Sequence, residues 1–208
     1  ISGGFSIQEA RDLANSLNAG ALPVPIRLVS QQTVGPSLGQ ESLQKSLTAG
    51  LFGLLAVAVF IILFYRLPGA VAVVALLVYV AIVLSIYKLI PVTLTLAGIA
   101  GFILSLGIAV DANILIFARM REELKSGNSL AQSFTSGFSR AWLSIRDSHV
   151  TTLLGAFVLY AFSTSVVKGF ALTLGVGVLT SLLTAIVVTK SFLRLFIVPR
   201  LEKSRWLF

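Results

Sequence analysis

The chain has 208 residues, of which 56% are hydrophobic and only 12% charged, and its mean hydropathy is +0.96. Those proportions exclude an ordinary soluble domain and place the chain in a membrane. The formal charge of +8 could suggest nucleic acid, but the Lys and Arg residues gather in particular connections between apolar runs, so no nucleic-acid partner is expected; the absence of cysteine excludes disulfides and thiolate metal sites.

Residues 1–45 are polar and read as the tail of an α+β extracytoplasmic domain with a linker. The chain opens on ISGGFSIQEA, with neither an initiator Met nor a basic leader, and so reads as a piece of something longer. Ser6 and Glu9 form a capping-box pattern that predicts a helix running to Asn18, with Gly20 as its stop. Pro23 and Pro25 followed by IRLVS predict an extended linker or edge strand over 21–32, and TVGPSLG (33–39) predicts a turn into the first membrane helix.

Crossing a bilayer core of about 30 Å takes roughly 20 apolar helical residues. Five runs meet that requirement within 46–198: about 47–65, 69–87, 94–118, 150–167 and 169–189, the fourth diluted at its end by Ser163, Thr164 and Ser165. The expected fold is an all-α polytopic bundle of five transmembrane helices. Only Arg66 to Gly69 joins the first two runs, which predicts an antiparallel helical hairpin with Pro68 in the opening turn of its second helix. Between the third and fourth runs, Leu130, Phe134, Phe138 and Trp142 recur every four residues behind Ser129, predicting an amphipathic helix over 129–142 on the inner surface. The basic-aromatic tail 199–208 suits the same interface.

Charge fixes an expected orientation. With the N-terminal segment outside and the C-terminus inside, eleven of the 16 basic residues (Arg66, Arg119, Arg121, Lys125, Arg140, Arg146, Lys190, Arg194, Arg200, Lys203 and Arg205) lie on the inner side. Five lie outside, which satisfies the positive-inside rule.

Small residues recur at every fourth position in two runs: Ala97, Gly101, Ser105, Ala109 and Asn113 in the third, and Gly169, Thr173, Gly177, Ser181, Ala185 and Thr189 in the fifth. Stripes of this kind let helix backbones approach closely where lipid supplies no hydrophobic drive, so they predict a helix-packing seam. Asp111 lies two residues before Asn113, is the lone carboxylate of an apolar run, and is expected to flank that seam. An intramembrane carboxylate costs about 2.5–3.5 kcal/mol even on lenient scales, so it is a functional candidate by default. Burial or a neighbouring charge decides its protonation. Proton carriage through Asp111 and Asn113 is the leading expectation, against a structural hydrogen bond to a neighbouring helix or a cation site. Asp147, His149, Thr151 and Thr152 gather in RDSHVTTL, where His149, the only histidine, is read as a helix-end cap, an interfacial residue or a proton carrier, and Asp147 as a helix N-cap or part of the pathway. No Walker loop, GxSxG or HExxH pattern is present, so hydrolytic catalysis and cofactors are not expected.

Five segments together carry a resemblance: LNAGALPVP (17–25), TVGPSLG (33–39), GIAGFILSLGIAVDANILIFARMREEL (98–124), DSHVTTL (147–153) and VKGFALTLGVGVLTSL (167–182). They resemble the SecD family of the bacterial Sec protein-export machinery, itself related to the RND superfamily of proton-driven exporters. The resemblance implies six membrane helices with a large extracytoplasmic domain between the first two, of which this chain would hold the last five. It implies that Asp111 is the proton-pathway aspartate, and that Asp147, Thr151 and Thr152 belong to a motif opening the next helix. Where His149 stands, family members commonly show Asn, so no role for it carries over. Implied partners are SecF, the SecYEG channel, the translocating polypeptide, membrane lipid and protons, in the cytoplasmic (inner) membrane. The alternative is an RND-type exporter of small molecules or lipids; AGALPVP and TVGPSLG favour the SecD pattern.

Overall fold

The computed structural model describes residues 4, 6–18 and 36–196, and every element among them is helical. Gly20, the predicted strand or linker of 21–32, the start of TVGPSLG and the basic tail 199–208 lie outside the described residues.

Helix α1 (Ile7–Asn18) belongs to the first of two compact units, Ile1–Pro36. Its capping box is in place: the backbone N–H of Glu9 donates to Ser6 Oγ at 3.3 Å, and the Glu9 carboxylate accepts from the Ser6 backbone N–H at 2.9 Å. Those bonds favour the ionised carboxylate and hold Glu9 below the usual carboxylate range.

The second unit is built on helix α2 (Pro36–Leu89), α3 (Leu96–Lys125), α4 (Leu130–Phe162) and α5 (Ser165–Thr184), the last continued by a π-helical turn (Ala185–Thr189) and α6 (Lys190–Phe196). Among the described residues, three stretches are long and apolar enough to cross a membrane: Gly39–Leu89, Leu96–Lys125 and Ser165–Leu195. Large side chains such as Phe52, Leu63, Phe157 and Phe162 are exposed, as lipid-facing surface requires.

Helix α2 is two arms. It breaks at Arg66, whose φ of 48° and ψ of −113° are non-helical. Along the first arm, Gly50 approaches Ile103 and the Tyr65 ring meets that of Phe117 at a tilt, so positions rise in step with α3. Along the second arm, Tyr79 meets Ser105 and Tyr87 meets Phe102, so the direction is reversed. Glycine is required at the turn: a Cβ on Gly69 would run into the backbone of Ile61 and Ile62.

Helices α3 and α5 are parallel, and α4 runs antiparallel between them in the chain. Thr95 caps α3, accepting from the Gly98 backbone N–H at 3.1 Å, and Gly127 turns the chain at φ 92° toward α4. Ser129, where the sequence predicts a helix to begin, caps α4, and Gln132 completes a capping box with it. An ion pair from Arg140 to Glu123 (2.6 Å) and a bond from Asn128 Nδ2 to the same carboxylate (2.7 Å) tie the α3–α4 corner.

Two expectations about α4 are corrected. The amphipathic stretch 129–142 and the fourth apolar run are one unbroken helix, because the residues between them include neither Pro nor Gly to end it. That helix stops at Phe162, and α5 begins at Ser165 instead of 169. The extended backbone of Ser163 and Thr164 makes the break, consistent with hydroxyl side chains that favour caps over helix interiors.

Candidate functional site

The seam between α3 and α5 is polar, and its hydrogen-bonding side chains are buried. Thr173 Oγ1 donates to the Gly98 carbonyl at 2.8 Å, and Tyr87 donates its phenolic hydrogen to the Thr173 carbonyl at 2.8 Å. One step along, the hydroxyls of Tyr79 and Ser105 lie 2.8 Å apart beside Gly177. At the far end, Thr189 Oγ1 donates to Asn113 Oδ1 at 2.8 Å, while Asn113 Nδ2 donates to the Ala109 carbonyl at 3.3 Å. Glycines permit this approach: a Cβ on Gly101 would lie 2.5 Å from Thr173 Oγ1 and 2.6 Å from the Phe170 carbonyl. The two stripes read from the sequence meet here, with Asn113 as the last polar member of one and Thr189 of the other.

Asp111 lies elsewhere on the same helix. Its side chain is exposed and makes no hydrogen bond among the described residues, whereas Asn113, two residues on, is only 5% exposed. Two residues correspond to about 200° around an α-helix, so α3 divides the two side chains between opposite faces. The expectation that Asp111 flanks the seam understates this separation. Beside Asp111, on the same exposed side of α3, Gly107 has nothing within 4 Å of where a Cβ would be. That glycine also lines an apolar groove of ≈ 270 Å³ shared with Gly50, Gly53 and Val57 of α2.

His149 is 2% exposed and sits in mid-helix on α4, not at a helix end as expected. Its Nδ1 is 2.8 Å from the Ile145 carbonyl and its Nε2 is 2.8 Å from Ser181 Oγ on α5. The Asp111 carboxylate is close enough to act on this imidazole electrostatically. Ser181, read only as a packing residue, is therefore also the polar partner of the histidine. No spacing rule in the sequence pairs residues 149 and 181.

Asp147, Thr151 and Thr152 bond elsewhere. Asp147 is exposed, lies inside α4 instead of capping it, and is bridged by Arg146 at 2.9 Å. Thr151 and Thr152 donate to the carbonyls of Asp147 and Ser148 in their own helix, at 2.8 and 2.9 Å. Among the described residues, no three His, Asp or Glu side chains gather closely enough to hold a metal ion.

Chemically, the arrangement offers an exposed carboxylate at membrane depth, a buried imidazole within its electrostatic reach, and a sealed seam of hydroxyls behind both.

Comparison with known proteins places the chain in a family. The family described as "Protein export membrane protein SecD/SecF, C-terminal" matches residues 17–198. The SecD protein translocase subunit of Thermobaculum terrenum is 51% identical over 98% of this chain and 40% of its own length. For the SecD subunit of Synechocystis the figures are 53%, 99% and 43%. The crystal structure of SecDF from Thermus thermophilus, a translocon-associated membrane protein, superposes with a TM-score of 0.79 at 38% identity, covering 99% of this chain and 28% of that one. The chain thus spans less than half the length of these relatives.

Proposed function

Since the chain belongs to the SecD/SecF C-terminal membrane family, we propose that it is the membrane half of a Sec accessory subunit in which Asp111 takes up and releases protons to assist polypeptide export. The observation that carries this reading is the exposed Asp111 carboxylate in the middle of an apolar helix. A carboxylate facing acyl chains at that depth is costly, so a polar surface or a watery cleft must cover it. In the assembly, that cover is SecF, with the SecYEG channel and the translocating polypeptide as further partners.

The five-span topology belongs to the same proposal. The two arms of α2, α3, α4 and α5 each cross the cytoplasmic membrane, with the N-terminal segment extracytoplasmic and the basic end of the bundle, including Arg119, Arg140 and Lys190, on the cytoplasmic side. At 1.5 Å per residue, Asp111 then lies about 12 Å from Arg119 and about 24 Å from Thr95, nearer the inner surface. Asn113 contributes from behind, by fixing the register of α3 against the π-helical turn through Thr189. Asp147, Thr151 and Thr152 stand near the middle of α4, where its apolar part begins on the cytoplasmic side. No hydrolytic activity or cofactor is assigned to this chain.

The test is export driven by a proton gradient in inverted membrane vesicles carrying the complete subunit with Asp111→Asn. Loss of the gradient-dependent component, with insertion and assembly intact, is the expected outcome. Wild-type stimulation by the variant would defeat the proposal.

A further inference from the structure

The donors and acceptors around His149 do not fix its charge; they fit two protonation states equally well. Nδ1 faces the Ile145 carbonyl at 2.8 Å, and a carbonyl only accepts, so Nδ1 carries a hydrogen. Ser148 Oγ is 3.5 Å from Nδ1 and donates to the same Ile145 carbonyl at 3.0 Å, so it does not displace that bond. Nε2 faces Ser181 Oγ at 2.8 Å, and the same oxygen is 2.8 Å from the Val178 carbonyl. A serine hydroxyl has one hydrogen to give.

Two complete wirings follow. In the neutral state, Ser181 donates its hydrogen to Nε2. In the cationic state, Nε2 donates to Ser181 Oγ, and the serine hydrogen swings to the Val178 carbonyl. Each state satisfies both ring nitrogens, and passing between them turns one hydroxyl without moving a heavy atom. A structural histidine in a 2% exposed site needs only one such wiring.

We propose that His149 is a second proton-binding group of the Asp111 site, relaying through the Ser181 hydroxyl. This rests on Asp111 as the proton carrier proposed above. The balance is simple: a proton leaving the Asp111 carboxyl passes over water to Ser181 Oγ as the serine hands its own hydrogen to Nε2, leaving a carboxylate and an imidazolium, with the serine hydrogen then turned to the Val178 carbonyl. On the return step Nε2 gives its proton back to Ser181 Oγ, and the hydrogen the serine had gained leaves over water to the carboxylate.

The surroundings limit what else could respond. From α3 the charged group acting on the ring is Asp111. From α5 the ring meets the hydroxyl of Ser181. On α4 itself, Arg146 and Asp147 are exposed and paired with one another. From α2, Tyr79 is engaged with Ser105 beside Gly177, one turn before Ser181.

Because the chain has a single histidine, ¹⁵N-histidine labelling reads this ring alone. The chain, purified without a histidine tag into lipid nanodiscs, is titrated from about pH 5 to about pH 9, the range in which imidazole normally changes charge. Expected are a neutral form protonated at Nδ1, a doubly protonated form at the acid end, and a midpoint that moves by about half a pH unit or more in Asp111→Asn. A neutral form protonated at Nε2, no second proton across the range, or an unmoved midpoint in Asp111→Asn would each overturn the inference.

Export assays with the complete subunit add the functional arm. His149→Gln, which keeps a polar side chain but cannot titrate, is expected to flatten the pH profile of gradient-driven export, and an unaltered profile would remove the histidine from the relay. Normal export by Asp111→Asn sinks the carrier reading instead. If export is lost in Asp111→Asn but the ring holds one protonation state, this inference alone falls.

Discussion

The two faces of α3 make opposite use of polar residues. Toward α5, Ser105 and Asn113 are buried and hydrogen-bonded across the helix pair, and Gly101 is pressed against the opposing backbone. On the exposed side, Asp111 has no hydrogen bond among the described residues, and Gly107 borders open space. One face holds the bundle together, and polarity there is fully satisfied. The other leaves the Asp111 carboxylate exposed, without a hydrogen-bond partner among the described residues.

Substitutions can break that contrast. The largest functional effect is expected from Asp111→Asn, which should remove gradient-driven export while the thermal unfolding of the purified protein barely changes; a marked fall in stability would make Asp111 a structural residue. Gly101→Val should show the reverse pattern. Its new side chain meets Thr173 and the Phe170 backbone, so overpacking should cost about 1–3 kcal/mol or more, read from unfolding in detergent. Thr189→Val tests the seam more gently. Losing its bond to Asn113 should cost about 0.6–1.7 kcal/mol, and a double-mutant cycle with Asn113→Ala should recover that coupling. Gly107→Ala should sit within about 0.5 kcal/mol of the parent in folding, since no neighbour opposes its Cβ. A large folding defect in that variant would mean that this face is packed within the chain after all.

Much of the seam was legible in the sequence, because an interval of four keeps small residues on one helical stripe and packing demands them there. The capping box at Ser6 and the helix start at Ser129 were legible for a similar reason: the pattern is local, and the partners are three residues apart. The unbroken α4 was harder to foresee. Polar residues in RDSH interrupt the apolar pattern, yet each tolerates a helix, so a loss of hydropathy was mistaken for a loss of structure. The partnership of His149 with Ser181 depends on the register between two helices, and a single sequence carries no signal for that. The π-helical turn at Ala185–Thr189 was equally silent, apart from a run of β-branched residues that weakens ordinary helix. Asp111 is the instructive case. Helical angle alone sets it on the far side from Asn113, and its proximity in sequence encouraged grouping the two in one pathway.

The continuity of α4 gives the molecule a lever. Its 33 residues make a rod of about 50 Å, well beyond the roughly 30 Å of a bilayer core. His149 sits about 29 Å along it from Leu130. Rocking of about 10° around the histidine would therefore carry the Leu130 end through about 5 Å, so even a small tilt of this rod would register as a displacement long enough to measure between a pair of spin labels.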